Sequence, residues 1–508
     1  MLIKKPVALI ILDGFGYRKD QQHNAIAQAH MRNFNSWLLD YPHALLHASG
    51  DAVGLPEAIA GNSMVGHLTL GAGRVIKQPL TVLNEAIADG SFFENHLLLE
   101  RFKELKALGG TLHLMGLLSD GGSHSHEQHL YALLRMAHQQ GLTNIVVHAF
   151  LDGRDAPPRS AAQYLEHLDT VFAEIGCGIL GTIHGRAYAM DRVGRQEYLQ
   201  KSYDILTQPH ASQFATWQEA LQYYYSQGIS DEMIPPTTLV ANSYMKKHDG
   251  LIFFNIRSDR ARGITHLLLE HAYPQLAWII TGVNYNADFK VDVLCPSPVI
   301  THTLLDILED AQKKTFVVAE SEKYAHISYF FNGGRDIVHP HEMRLVIPSL
   351  SPEKFIEHPQ MCAPEITDSL MRSLTKNPRD FYLVNYANPD MIGHTGDFDA
   401  TVKAIKCIDI QLERLYTQIV EKMGGTMYVV ADHGKAEEMY DATSQQPRTA
   451  HTTNPVYFIM MQKELKHHPT ILPLHGLADV APFIAQQMLI TVPAEMGHDP
   501  SAAQDSKI

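Results

Sequence analysis

A chain of 508 residues, 45% of them hydrophobic, with a formal net charge of −14, can bury cores in two or more domains and has the wrong sign for general affinity to nucleic-acid phosphates. No apolar run approaches the roughly 18 residues a membrane helix needs. The four cysteines, Cys177, Cys295, Cys362 and Cys407, form no CxxC pair, which argues against a disulfide framework or a thiolate metal site and fits a reducing, cytoplasmic setting.

The first apolar run, "PVALIIL", stops at Asp13. Lys4 and Lys5 before it imitate a secretory leader, but no small-residue cleavage site follows, so the run reads as a buried first strand. Next comes "AGNSMVGHLTLGAGR" (Ala60 to Arg74), where Ser63 stands between a Gly-Asn turn and a helical pattern. Two readings are open: Ser63 caps the helix, or it is a nucleophile at a helix N-terminus whose amides can receive a phosphate.

The middle of the chain repeats one form, a short apolar strand, then an acidic or glycine turn, then a helical pattern. It recurs in "LHLMGLLSDGGSHSHEQH", "NIVVHAFLDGRDAPP", "GILGTIHGRAYAMDR" and "LIFFNIRSDRAR". Their ends carry His124, Arg154, Asp155, Arg186, Arg192, Arg257 and Arg260. Clustered guanidinium groups suit a small, multiply anionic ligand; salt bridges to Asp155, Asp191 and Asp259 are the alternative.

The last third has the same form with different chemistry. "FYLVNYANPDMIGH" offers Asp390 and His394, four apart and so on one face of a helical turn. "TMYVVADHGKAEEM" offers Asp432 and His433, and "AHTTNP" offers His451. With Asp13 these make an oxygen and nitrogen donor set that suits Mn2+, Zn2+ or Co2+, although each acid alone also reads as a helix cap.

This grammar predicts an α/β protein with an open, mostly parallel sheet, whose ligands gather beyond the carboxyl ends of the strands. The change from acids to arginines predicts a second α/β domain, residues 77–297, inserted into a first made of 1–76 and 298–508. The tail "GHDPSAAQDSKI" reads as disordered.

In order along the chain stand "ILDGFG", "GNSMVGHLTLGAGR", "LLSDGGSHSH", "HAFLDGRDAPP", "GRAYAMDR", "FFNIRSDRAR", "EKYAHISYFFNGG", "VNYANPDMIGHTG", "ADHG" and "AHTTNPV". In these motifs the sequence resembles the cofactor-independent (2,3-bisphosphoglycerate-independent) phosphoglycerate mutases, whose phosphatase domain belongs to the alkaline phosphatase superfamily. The resemblance implies interconversion of 3-phosphoglycerate and 2-phosphoglycerate in glycolysis and gluconeogenesis, through a phosphoserine on Ser63. It implies two divalent ions, usually Mn2+, no 2,3-bisphosphoglycerate, and a monomer with neither nucleic-acid nor membrane partners.

By motif, Asp390, His394 and His451 would hold one ion, and Asp13, Ser63, Asp432 and His433 the other. Substrate would meet His124, Arg154, Asp155, Arg186, Arg192, Arg257 and Arg260, with Lys323 reaching in from the phosphatase side. Asp155, beside Arg154, is the candidate for proton transfer to and from the glycerate hydroxyls. The chain departs from the family pattern at Met64, usually Glu, at Lys435, usually Asn, and at Ala187, commonly Tyr. "MRNF" also lacks a usual Pro. None of these removes a proposed ligand or arginine. The competing readings are another metal-dependent phosphoryl-transfer enzyme of the superfamily and a catalytically silent metal or phosphate binder.

Overall fold

The run "VALIIL" becomes a strand, Val7–Leu12, buried at nearly every position, as a strand covered on both faces of a parallel sheet must be. It belongs to a computed structural model that describes residues 5–191, 194–272, 275–442 and 444–497. Apart from Gly497, the tail expected to be disordered lies outside the described residues, as does Arg192.

The described residues divide into two units, one drawn from 1–77 and 299–508 and the other from 78–298. The strands of the first stretch are β1 (Val7–Leu12) and β2 (His43–Leu46). Those of the second unit are β3 (Leu112–Leu118), β4 (Ile145–Leu151), β5 (Ile179–Gly185), β6 (Thr237–Thr238), β7 (Gly250–Phe253), β8 (Trp278–Thr281) and β9 (Asp292–Val293). The chain then returns to the first unit with β10 (Thr315–Glu320), β11 (Glu342–Ile347), β12 (Phe381–Tyr386), β13 (Thr426–Val430), the short pair β14 (Tyr440–Asp441) and β15 (Gln446–Pro447), and β16 (Val456–Met461).

The first unit's sheet has the order β11-β10-β12-β1-β13-β16-β2. Its first five strands are mutually parallel, while β16 runs antiparallel to β13. The carboxyl ends of β1, β10, β12 and β13 therefore open on one edge, and the loop that enters β16 reaches that same edge.

The second unit repeats the principle in the order β6-β5-β4-β3-β7-β8-β9, parallel except for β6. The turns after β3, β4, β5 and β7 gather at one edge there too. Each sheet has its own apolar core, and among the described residues no helix is long and apolar enough to cross a membrane. All four cysteines are unpaired.

One face of the second sheet carries a buried polar chain. Asp249 accepts the backbone N–H groups of Thr111 and Lys246 and faces His113 Nε2 at 3.1 Å. His113 Nδ1 lies 2.9 Å from His148 Nε2, His148 Nδ1 lies 2.9 Å from Thr182 Oγ1, and Thr182 Oγ1 lies 2.7 Å from His184 Nε2. Ser202 Oγ completes the series, 3.2 Å from His184 Nδ1. Because a carboxylate accepts at one end, the donors all point toward Asp249. The acceptor nitrogens of His148 and His184 are then already occupied and have no place for a further proton.

Burial, with the neighbouring His113 and His184, holds His148 well below the ordinary value of 6.5, and burial lowers His184 to about 3. Below pH 6.5 the unfolded chain takes up protons on these rings and the folded unit does not. Stability is therefore complete above that pH and falls as pH drops from it toward the folded values, by about 2 kcal/mol per ring at pH 5. Hydrogen exchange of β4 and β5 amides at pH 7 and pH 5, corrected for intrinsic rates, should show the loss. Equal protection at the two values would contradict it.

Candidate active site

Asp13, Lys323, Asp390 and Asp432 each lie just beyond the carboxyl end of a parallel strand, β1, β10, β12 and β13 respectively, so the sheet itself brings together residues hundreds of positions apart. The helix Ser63–Ala72 brings Ser63 to the same place. Its N-cap is Asn62, whose side chain accepts the Val65 N–H at 3.1 Å. Ser63 is thus the first residue of the helix and its hydroxyl is not the cap, which removes the bland reading of that serine.

The Ser63 Oγ lies 2.7 Å from Lys323 Nζ, 3.0 Å from Asp13 Oδ1 and 3.0 Å from His433 Nε2. Lys323 Nζ also donates to Asp13 Oδ1 at 2.7 Å and to Asp390 Oδ2 at 2.6 Å. All these side chains are buried. Burial, the largest influence, would by itself neutralise the carboxyl groups, but the Lys323 ammonium and the neighbouring histidines together outweigh it and hold Asp13 and Asp390 below the usual carboxylate range. The same exchange runs in reverse for the lysine: burial opposes its charge, and Asp13, Asp390 and Asp432 raise its pKa above the ordinary lysine value. His433 is raised to about 9, because Asp432 and the other carboxylates overcome its burial. This pocket strongly favours positive charge.

The outer part of the cluster is built from lone pairs. His394 Nδ1 lies 2.8 Å from the Thr449 carbonyl, and His451 Nδ1 lies 2.9 Å from the Gly61 carbonyl. Each ring spends its N–H on a carbonyl, so each Nε2 presents an electron pair. Those two Nε2 atoms are 3.0 Å apart and lie 3.1 and 3.2 Å from Asp390 Oδ1. Asp390 Oδ1 and Asp432 Oδ2 are buried without a hydrogen-bond partner among the described residues. Three converging electron pairs repel one another, and a divalent cation turns that repulsion into coordination. The donors present therefore fit the oxygen and nitrogen preferences of a first-row divalent ion. Asp390, His394 and His451 form one such group, and Asp13, Asp390 and His433 another.

Sequence reading missed His67 and Asn385. His67 Nδ1 lies 2.8 Å from the Ser63 carbonyl and 3.1 Å from Asp432 Oδ2. Asn385 donates to Asp13 Oδ2 at 2.9 Å, with the same amide nitrogen 3.0 Å from His67 Nε2. Both of His67's ring nitrogens are thereby engaged, by the Ser63 carbonyl and the Asn385 amide, so it is a poor metal ligand even though its position beside Asp13 and Asp432 would allow that role. Its signal was present in "SMVGH", one helical turn beyond Ser63.

In the second unit, Arg186 is buried and donates to Asp152 Oδ1 at 2.5 Å and Asp155 Oδ2 at 2.7 Å. Its Nε and the Nδ1 of buried His124 have no hydrogen-bond partner among the described residues, the nearest carboxylate to that Nδ1 being Asp259 Oδ1 at 4.0 Å. Burial and the charges of Arg186 and Arg257 push His124 down to about 4. Arg257 pairs with Asp259 at 3.0 Å, and Arg260 reaches the Met190 carbonyl at 3.4 Å. The expected partnership of Asp155 with Arg154 is replaced by one with Arg186, while Arg154 lies 3.6 Å from Glu232. The organiser that sequence reading missed is Asp152, which accepts from Ser119 Oγ at 2.6 Å and from the backbone N–H groups of Arg154 and Asp155. It sits at the end of β4, where the rule that singled out Asp13 applies equally.

Comparison with known proteins agrees across nearly the whole length. A family model described as "BPG-independent PGAM N-terminus" matches residues 83–290. A 2,3-bisphosphoglycerate-independent phosphoglycerate mutase of Legionella pneumophila (strain Corby) is 40% identical over 504 residues, covering 97% of this chain and 96% of its own. The enzyme of that name from Moorella thermoacetica is 40% identical over 506 residues, covering 97% and 98%. Among solved structures, Leishmania mexicana phosphoglycerate mutase, crystallised at low cobalt concentration, superposes with a TM-score of 0.73 at 27% identity, covering 98% of this chain and 97% of its own.

Lys323→Met leaves buried carboxylates without their cation, an omission that costs about 3–5 kcal/mol. Urea unfolding in chelator should show a loss of that size, and added Mn2+ should recover much of it. An equal loss with and without the metal would contradict the electrostatic account.

Proposed function

Since this chain belongs to the family of 2,3-bisphosphoglycerate-independent phosphoglycerate mutases, we propose that its interconversion of 3-phosphoglycerate and 2-phosphoglycerate passes through a phosphoserine on Ser63. The observation that carries this reading is the environment of the Ser63 hydroxyl: first in a helix, buried, and within 3.0 Å of Lys323, Asp13 and His433.

Asp390, His394 and His451 would hold one divalent ion, and Asp13, Ser63, Asp432 and His433 a second, with Mn2+ as the assigned metal. A divalent ion so held supplies Lewis acidity that eases loss of the serine proton and neutralises phosphoryl oxygens. The chain's own residues do the rest. Lys323 keeps its proton and stabilises negative charge on Ser63 Oγ, and the helix N-terminus receives the phosphoryl group.

Ser63 Oγ, its proton already released to solvent, forms its bond to phosphorus as the bond from phosphorus to the glycerate oxygen breaks, and it leaves as the same alkoxide when the phosphoryl group returns. Asp155 delivers a proton to that oxygen. The other glycerate hydroxyl then gives its proton to Asp155 and takes the phosphoryl group back from Ser63, so protons and phosphoryl groups balance over the cycle. His124, Arg154, Arg186, Arg192, Arg257 and Arg260 bind the carboxylate and phosphate, and Asp152 keeps Arg186 and Asp155 in place. We assign the phosphatase-like role to residues 1–76 and 298–508 and the substrate role to 77–297, in a monomeric cytoplasmic enzyme.

Ser63→Ala should abolish isomerisation and phosphoprotein formation from labelled phosphoglycerate while the metal still binds; retained turnover would refute the covalent route. For Asp155→Asn the expected result is a kcat lower by about 10^2- to 10^4-fold with KM little changed. An unaltered kcat at saturating substrate would remove Asp155 from proton transfer.

A further inference from the structure

Glu437 is a fully buried carboxylate outside both ligand sets. Its Oε2 accepts the backbone N–H of Gly16 at 3.0 Å and that of Lys435 at 2.8 Å. Its Oε1 accepts from Asn454 Nδ2 at 3.0 Å and from the Thr452 hydroxyl. Four donors from three separate segments thus close on one side chain. The first segment follows Asp13, the second follows Asp432 and His433, and the third follows His451.

Two glycines make room for it. A Cβ on Gly16 would stand 2.4 Å from the Glu437 carboxyl carbon, and one on Gly434 would stand 2.6 Å from Oε1 and 2.2 Å from Thr452 Oγ1. The second glycines of "DGFG" and the glycine of "ADHG" are therefore accounted for by a close approach to this carboxylate. Lys435, the departure from the family pattern, adds a second tie to the third segment. Its buried Nζ donates to the Arg448 carbonyl at 3.1 Å, and Arg448 in turn donates to the His451 carbonyl at 3.1 Å.

We infer that Glu437 is a positioning residue that sets the ligand groups of both proposed ions in register, by fixing the loops that carry Asp13, His433 and His451 to one another. This rests on the assignment of those residues as ligands. A carboxylate can accept all four hydrogen bonds, whereas an amide would turn its own N–H2 toward two of the donors. Outer partners of metal ligands typically govern affinity by 10- to 100-fold.

The test is Mn2+ titration of the chelator-stripped full-length protein, read by equilibrium dialysis and by the rise in Tm on adding metal. Wild type should bind two ions, and Asp13→Ala and His451→Ala should each lose one; failure of that control overturns the ligand assignment itself. With the control met, Glu437→Gln should bind Mn2+ roughly 10- to 100-fold more weakly and show a smaller metal-induced rise in Tm. Unchanged affinity, with Tm lowered equally in both states, would mean a merely structural role and overturn the inference. Should Glu437→Gln not fold, Thr452→Val and Asn454→Ala cut the tie to the His451 loop from the donor side. They should weaken one ion and spare the other, and two unweakened ions would overturn the inference.

Discussion

Negative charge gathered at one sheet edge is the constraint on which the first unit depends. Asp13, Asp390 and Asp432 are all buried, and their self-repulsion must be met by positive charge before the fold can close around them. Lys323 meets part of it with short contacts to two of the three. The electron pairs of His394, His451 and Asp390 Oδ1 are left facing one another, and that residual demand is one a divalent cation fits and a salt bridge alone does not meet. The activation proposed for Ser63 would follow from the same field, because its Oγ lies between the Lys323 ammonium and the Asp13 carboxylate.

The second unit solves the opposite problem. Its edge collects guanidinium groups, and the buried Arg186 is steadied by Asp152 and Asp155 while its Nε remains unsatisfied. A buried, unmet donor beside His124, itself held neutral by burial and nearby arginines, is a standing demand for an anionic ligand. Phosphoglycerate, with a carboxylate and a phosphate, has the chemistry to satisfy it.

Strand ends were legible because a buried parallel strand writes itself as an apolar run closed by a turn, and the residue after such a run must lie at the edge where ligands collect. That logic located Asp13, Arg186, Asp390 and Asp432. It did not reach residues that act by closing the hydrogen bonds of others. Asp152, His67, Asn385 and Glu437 occupy positions whose local pattern resembles that of many buried polar residues. Nor did adjacency in sequence identify ion pairs: Asp155 stands next to Arg154 yet bonds to Arg186.

The sequence alone determined which strands form, which of their ends carry acids and which carry arginines, and the family, because these depend on local patterning and on motifs read in order. Only the tertiary structure decided that Asn62 and not Ser63 caps the helix, that the ring N–H groups of His394 and His451 are spent on carbonyls so that their electron pairs converge, and that Glu437 joins three loops. The physical reason is that a hydrogen bond has direction and a short reach. Which donor meets which acceptor is settled by where distant segments come to rest, and no spacing along the chain records it.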